Sequence, residues 1–225
     1  MQARIDHLVV AAATLDEGVA WCEATLGVVP GPGGEHPLMG THNRLLRVAT
    51  VDYPQAYLEI IAVQPGREPL RTRRWFDLDD ESLQASLRSA GPRLIHLVAQ
   101  VPDARAAVAA LAAGGIDAGE VVQASRLTPR GLLEWQITVR ADGRRLFRGG
   151  LPTLIEWGPV HPAAGMPESG VTLHAVGVRH PELAALRSAH EAIGLQRVSL
   201  QAGEPTLHAV LETPRGRVTL PSAGL

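Results

Sequence analysis

Three stretches of the chain share one pattern. Ile5-Asp6-His7-Leu8-Val9-Val10, Leu94-Ile95-His96-Leu97-Val98-Ala99 and Thr172-Leu173-His174-Ala175-Val176 are short apolar runs with a histidine set into each. Runs of this length, rich in branched aliphatic residues, predict strands. Strict alternation in the first sets Leu8 and Val10 on one face and Ile5, His7 and Val9 on the other. A helical pattern follows, with Leu15, Val19, Cys22 and Leu26 on one side, Thr14 or Asp16 to cap it and Gly27 to stop it. Residues 30–40 are too broken by Gly and Pro for regular structure. Residues 43–50 and 57–63 read as strands. The first unit is therefore strand, helix, a poorly signalled strand, strand, strand.

The order recurs. After the His96 strand, Asp103 caps an Ala-rich helix to about residue 113, with Val108 and Leu111 facing the core and Gly114-Gly115 ending it. Strand patterns follow at 120–124, 132–139 and 152–157, and Ala141-Asp142-Gly143 makes a turn. A third copy starts at 171, with Pro181 opening a helix that turns Leu183, Leu186 and Ile193 inward and stops at Gly194. Only residues 207–212 and 217–220 then read as strands, so this copy reads as truncated. The expected division is 1–64, a connector at 65–92, 93–160 and 171–225. The connector carries Arg67, Arg71, Arg73 and Arg74 ahead of Trp75-Phe76, then a short helix at 79–90. Its aromatic pair calls for packing on the body rather than a loose linker.

A chain of 225 residues can bury a sizeable core, and 45% hydrophobic with 20% charged residues is a globular composition. The net charge of -2 gives no reason to expect nucleic acid or a membrane as partner. The basic residues are all arginine, which reads as coding bias rather than chemistry. One cysteine, Cys22, excludes a disulfide framework and a cysteine-rich zinc site. There is no apolar run of membrane-spanning length and no apolar signal core at the N-terminus, so the expected location is the cytoplasm. The expected partner is a small molecule, with a homodimer left open.

The chemistry enters through two acids. Glu59 interrupts Tyr57-Leu58-Glu59-Ile60-Ile61, and Glu156 interrupts Thr153-Leu154-Ile155-Glu156-Trp157. A carboxylate in an apolar strand is costly unless paired, metal-bound or wet. Alternation groups Tyr57, Glu59 and Ile61, and groups Leu154 with Glu156. With helices on the other face, His7, Glu59, His96 and Glu156 would share one concavity. Two imidazoles and two carboxylates suit a divalent cation such as Zn, Ni, Co, Mn or Fe(II). The plainer readings are a satisfied core histidine, an acid facing water or arginine, and a His7–Asp6 pair. Recurrence at matched places in two units favours the metal. His174 has no matching acid and reads as structural.

The paired units, Ile5-Asp6-His7-Leu8-Val9-Val10, Leu26-Gly27-Val28 and the Glu59 strand together resemble the vicinal oxygen chelate superfamily. Its members include glyoxalase I, extradiol dioxygenases, methylmalonyl-CoA epimerase and metal-free antibiotic-binding proteins. The stretch from Gly34-Glu35-His36-Pro37 to Leu45 is similar to the glyoxalase-like branch. The resemblance covers residues 1–160 well and 171–225 in part. It implies an α+β fold, tandem βαβββ modules forming a half-open eight-stranded β-barrel, plus the truncated third module. It places His7, Glu59, His96 and Glu156 at the four metal positions of glyoxalase I. It implies a lyase or isomerase in which Glu156 or Glu59 moves a proton between neighbouring carbons. An extradiol reading is weaker, since no second histidine lies between His96 and Glu156. The Gly-rich loop and third unit depart from glyoxalase I and leave its glutathione substrate unsupported. His36, Asn43, Arg44 and Gln136 are the next candidates to line the pocket. The arginine clusters at 67–74 and 140–148 could hold an anionic tail, though such clusters are usually solvated or ion-paired. The competing class is a metal-free protein that sequesters a small molecule in the same barrel.

Overall fold

The computed structural model describes residues 2–128 and 131–222. The first module comprises β1 (Arg4–Ala11), α1 (Leu15–Leu26), β2 (Glu35–His36), β3 (Thr41–Arg47) and β4 (Tyr57–Val63). Thr14 caps α1 by accepting from the Glu17 amide at 3.2 Å, and Gly27 closes it in the left-handed region at φ 78°. Gly18 lets the helix approach the sheet: a Cβ there would lie 2.5 Å from Ile60 Cγ2. The buried stripe of α1 is therefore Gly18, Cys22 and Leu26, with Val19 turned partly outward.

The connector forms α2 (Glu81–Ala90), capped by Asp80, and buries Leu83 and Leu87. The second module comprises β5 (Arg93–Gln100), α3 (Ala104–Ala113), β6 (Glu120–Thr128), β7 (Gly131–Val139) and β8 (Thr153–Trp157). Together the two modules make one curled eight-stranded sheet in the order β2-β3-β4-β1-β5-β8-β7-β6. Within each module the first strand runs parallel to the last, and the two first strands meet antiparallel at the centre.

Both faces of this sheet are buried. Leu8, Val10, Leu58, Ile60, Leu97, Ala99 and Leu154 pack toward the helices, with Cys22, Leu26, Ala107 and Leu111. Val9, Ile61, Val98, Leu133, Trp135, Ile137 and Ile155 face the concave side, where the connector's Trp75, Phe76, Leu83 and Leu87 cover them. The pairing of β1 with β5 shifts register between Ile5 and His7, and again where Ile95 is passed over. The first shift returns Ile5 to the helix side with Leu8 and Val10, and leaves Asp6 and His7 together on the concave side. Strict alternation had placed Ile5 with His7; the bulge is the reason it is not.

The third unit holds β9 (Thr172–Arg179), α4 (Leu183–Ile193), β10 (Val198–Gln201), β11 (Thr206–Thr213) and β12 (Gly216–Pro221). It has a short strand, β10, beyond the two read from the pattern. Its separate sheet runs β10-β9-β11-β12, so its first strand pairs antiparallel with β11 rather than parallel with the last strand. Leu173, Val176, Leu186, Leu207 and Leu211 join the helix-side core of the modules. His174 is exposed at a register shift of β9. Among the described residues no helix is long and apolar enough to cross a membrane.

Candidate functional site

The first module supplies a buried polar cluster on the concave side. Asp6 on β1 is fully buried and accepts three hydrogen bonds, from His7 Nδ1 at 2.6 Å, Trp157 Nε1 at 2.8 Å and His161 Nε2 at 2.9 Å. The other nitrogen of His7 lies 3.5 Å from Glu59 Oε2. Glu59 Oε1 accepts from Asn43 Nδ2 at 2.6 Å and lies 3.9 Å from His36 Nε2. The Gly34 amide donates to Asn43 Oδ1 at 2.8 Å, which fixes the orientation of that amide. Asn43 Nδ2 also approaches His36 Nε2 at 3.3 Å, leaving His36 Nδ1 to donate to Thr41 Oγ1 at 3.1 Å. Tyr57 stacks on His7 with ring centroids 4.5 Å apart.

The Gly-rich loop is built to close around this cluster. Gly31 bridges to Leu45, and the Asn43 amide donates to the Gly34 carbonyl. A Cβ on Gly33 would lie 2.1 Å from the Asn43 carbonyl oxygen. Trp75, Phe76, Trp135, Trp157 and Arg126 complete the lining of a narrow cleft.

Electrostatics separate the two histidines. Burial opposes charge on His7, but hydrogen bonds to Asp6 and Glu59 outweigh it and raise its pKa to about 9. Burial dominates at His36, and its pKa falls to about 4 despite Glu59. Burial would raise Glu59, yet His7, His36 and Asn43 bring it down to about 2. Asp6 is held well below the usual carboxylate range against its burial, by His161 and His7. Burial, with Asp6 and Glu59 beside it, pushes the Tyr57 phenol well above its ordinary value.

Of the residues expected from the sequence, His7, Glu59, His36 and Asn43 come together in this cleft. The other four do not. Glu156 shares the helix-side face of β8 with Leu154, and its Oε2 accepts from the Ala104 amide at 2.8 Å, at the first turn of α3. Arg44 is exposed on β3, between inward-facing Asn43 and Leu45. Gln136 alternates with Leu133, Trp135 and Ile137 and lies in register with Glu156, away from the concave side. His96 is concave but apart, in a neighbouring pocket with Thr153 and Arg145. Phe76 covers it at 5.0 Å, and burial then Arg145 lower its pKa to about 3.

Strand register explains the lost acid. Val9, two residues past His7, pairs with Glu59; Val98, two past His96, pairs with Thr153. Thr153 is thus the second-module counterpart of Glu59, and its hydroxyl sits 3.0 Å from His96 Nε2. Glu156 stands an odd number of positions further on and points to the opposite face.

The donors implied for a divalent cation therefore do not fit one. Glu156 is turned away, and the Thr153 amide donates into His96 Nε2 at 3.2 Å. His7 is engaged at both nitrogens. Among the described residues no group of three or more His, Cys, Asp or Glu side chains is arranged to hold a metal ion.

Three participants escaped the sequence reading. Asp6 entered it only as a pairing partner for His7. His161 comes from the linker after β8, where no pattern marked it. Arg126 had a signal: it shares the phase of Val122 and Ala124 on β6, both of which pack on the concave core. The arginine clusters are largely ion-paired, Arg74 with Asp79, Arg140 with Asp142 and Arg145 with Asp77.

Two βαβββ modules joined through their first strands, with a polar cluster in the shared concavity, define a protein of the vicinal oxygen chelate superfamily. The sequence profile of the glyoxalase-like domain matches residues 5–194, and the chain belongs to that family. Among solved structures, a hypothetical protein from Staphylococcus aureus superposes with a TM-score of 0.61 at 14% identity, over 91% of this chain and 88% of that one. A Streptomyces coelicolor methylmalonyl-CoA epimerase variant with 2-nitronate-propionyl-CoA matches with a TM-score of 0.43 at 21% identity, over 72% of this chain and 99% of its own. A 4-hydroxymandelate synthase mutant from the same organism matches with a TM-score of 0.48 at 17% identity, over 98% of this chain and 62% of its own. None of the curated proteins compared with the chain matches it.

Proposed function

We propose that the protein is an enzyme that moves a proton on a small oxygen-bearing substrate, a lyase or isomerase reaction carried by Glu59 and His7. The observation that carries this reading is the placement of Glu59 between two imidazoles, 3.5 Å from His7 and 3.9 Å from His36, in an aromatic-lined cleft. Glu59 is ionised above about pH 2 and His7 is protonated below about pH 9. Both carry the protonation a base and an acid need across neutral pH. Glu59 takes the proton from carbon while His7 gives one to the adjacent oxygen, forming an enediol. The depressed proton affinity of Glu59 is corrected as the reaction proceeds, because discharge of His7 removes the cation that depresses it. Return of the proton from Glu59 to the neighbouring carbon, as the hydroxyl on the other carbon of the enediol gives its proton back to His7 and becomes the carbonyl, completes an isomerisation and restores both groups.

No step is routed through a divalent cation, since the four donors first assigned to one are not brought together. The test is carbon-bound hydrogen exchange in D2O, followed by proton NMR, on small 2-hydroxy and 2-oxo compounds. The wild-type protein is expected to exchange at least one of them after treatment with EDTA, and folded Glu59→Gln is expected to exchange none. Exchange that persists in Glu59→Gln removes the base from this position. Exchange that depends on added metal overturns the metal-free reading. Binding without exchange selects a protein that only sequesters its ligand, for which the tryptophan-lined walls would also serve.

A further inference from the structure

Arg126 is a half-buried cation with one guanidinium nitrogen, Nη1, buried and without a partner among the described residues. It sits on β6, the edge strand of the large sheet, and lines the same cleft as His7, His36, Asn43 and Glu59. Its guanidinium lies against Gly34, where a Cβ would come within 2.2 Å of Nη1. A side chain at position 34 would occupy its place. Nη1 is buried and meets no acceptor among the described residues. The nearby acids are engaged elsewhere: Glu59 by His7 and Asn43, Asp6 by His7, His161 and Trp157. Trp75 Nε1, in the lining of the same cleft, is a second buried donor without a partner. Buried donors are paired in folded proteins, and a charged one left bare is the costliest exception.

We propose that Arg126 is the anion subsite of this cleft and that the substrate is a small carboxylate. Its carboxylate oxygens accept from the guanidinium, and its oxygen-bearing carbon lies toward Glu59 and His7. The planar fork of arginine matches a carboxylate edge to edge. One guanidinium balances a monoanion; a phosphate dianion would bring a second charge beside Glu59, and the other cation of the cleft, His7, is already matched by Asp6 and Glu59. The inference takes from the proposed function only that the cleft is the substrate site.

Trp75, Trp135 and Trp157 line the cleft, so intrinsic fluorescence reports occupancy. The probes are 2-hydroxy and 2-oxo carboxylates of three to six carbons, their neutral primary amides, and glycerol phosphate. At least one carboxylate is expected to saturate the wild-type protein. Its amide, and the same carboxylate on Arg126→Gln, are each expected to bind roughly tenfold to a hundredfold more weakly. Arg126→Lys, which keeps the charge and loses the fork, falls between. Circular dichroism checks the fold of both variants. Equal binding of acid and amide, undiminished binding by Arg126→Gln, preference for the phosphate, or saturation by none of the carboxylates overturns the proposal. Carboxylate binding without deuterium exchange rejects the proton-transfer reading and leaves this subsite standing. Exchange of a neutral compound untouched by Arg126→Gln does the reverse.

Discussion

Replacement of Asp6 by asparagine tests the central charge arrangement. Asp6 is fully buried, and its 2.6 Å contact with His7 Nδ1 is closer than the 3.5 Å contact between Glu59 and the other ring nitrogen. Together they lift His7 from 6.5 to about 9. At about 1.4 kcal/mol for each tenfold change in proton affinity, that elevation contributes about 3 kcal/mol to folding. The contribution is complete below His7's unfolded pKa of 6.5, declines as the pH rises, and is gone above about 9. An amide at position 6 still accepts from Trp157 or His161 but cannot hold an imidazolium. The larger share of the His7 elevation is expected to disappear, so that Asp6→Asn costs about 2–3 kcal/mol near pH 6.5 and about 1 kcal/mol above pH 9.5. Urea unfolding across that pH range, with an NMR titration of His7, measures both quantities. A penalty that does not change with pH, or a His7 that still titrates near 9 in the variant, would refute the assignment of Asp6 as its charge partner. On the acid side the sign reverses. Asp6 and Glu59 are depressed, so their stabilisation holds above the ordinary carboxylate range and is lost as the pH falls through their folded values.

Other outcomes follow from the same geometry. Glu156→Gln removes a carboxylate from the N-terminus of α3, and a loss of about 0.5–1 kcal/mol in thermal unfolding is expected with proton exchange unchanged; loss of exchange in a folded variant would restore Glu156 to the site. Gly33→Ala drives a Cβ into the Asn43 carbonyl, a backbone atom that cannot step aside, so a loss of about 1–3 kcal/mol and weakened exchange are expected together, read by melting temperature and NMR. Activity against pH is expected to fall above about 9 as His7 loses its proton, with no fall between pH 6 and pH 8; a midpoint near 6.5 would give the limb to an ordinary histidine instead.

Much of this fold could be read along the chain, because local rules governed it. Helical spacing, Thr14 and Asp103 as caps, and Gly27 and Gly194 as left-handed stops mark the helices. The recurrence of strand, helix and three strands marks the modules. The connector's aromatic pair was expected to pack on the body, and Trp75 and Phe76 do cover the concave face. Half of the candidate site was also legible. His7 and Glu59 stand out as polar residues in apolar strands, and His36 and Asn43 lie in the loop and strand that face them.

What failed was the choice of face. Alternation says which residues go together, but a sheet buried on both sides offers no polar face to orient the set. Leu154 and Ile155 are equally apolar, so nothing local told which of them shared the cleft, and Glu156 went with Leu154 beneath α3. The register shift at Asp6 broke the alternation of β1 with no glycine to announce it. Sequence by itself determined the modules, their repeat and the two residues at the heart of the cleft, since those depend on periods of two and 3.6 and on the cost of burying charge. Tertiary structure alone decided that Thr153, not Glu156, is the counterpart of Glu59. It alone set Asp6 and His161 behind His7 and brought Arg126 into the cleft, because strand register and the path of a loop are set by pairing and packing between distant segments.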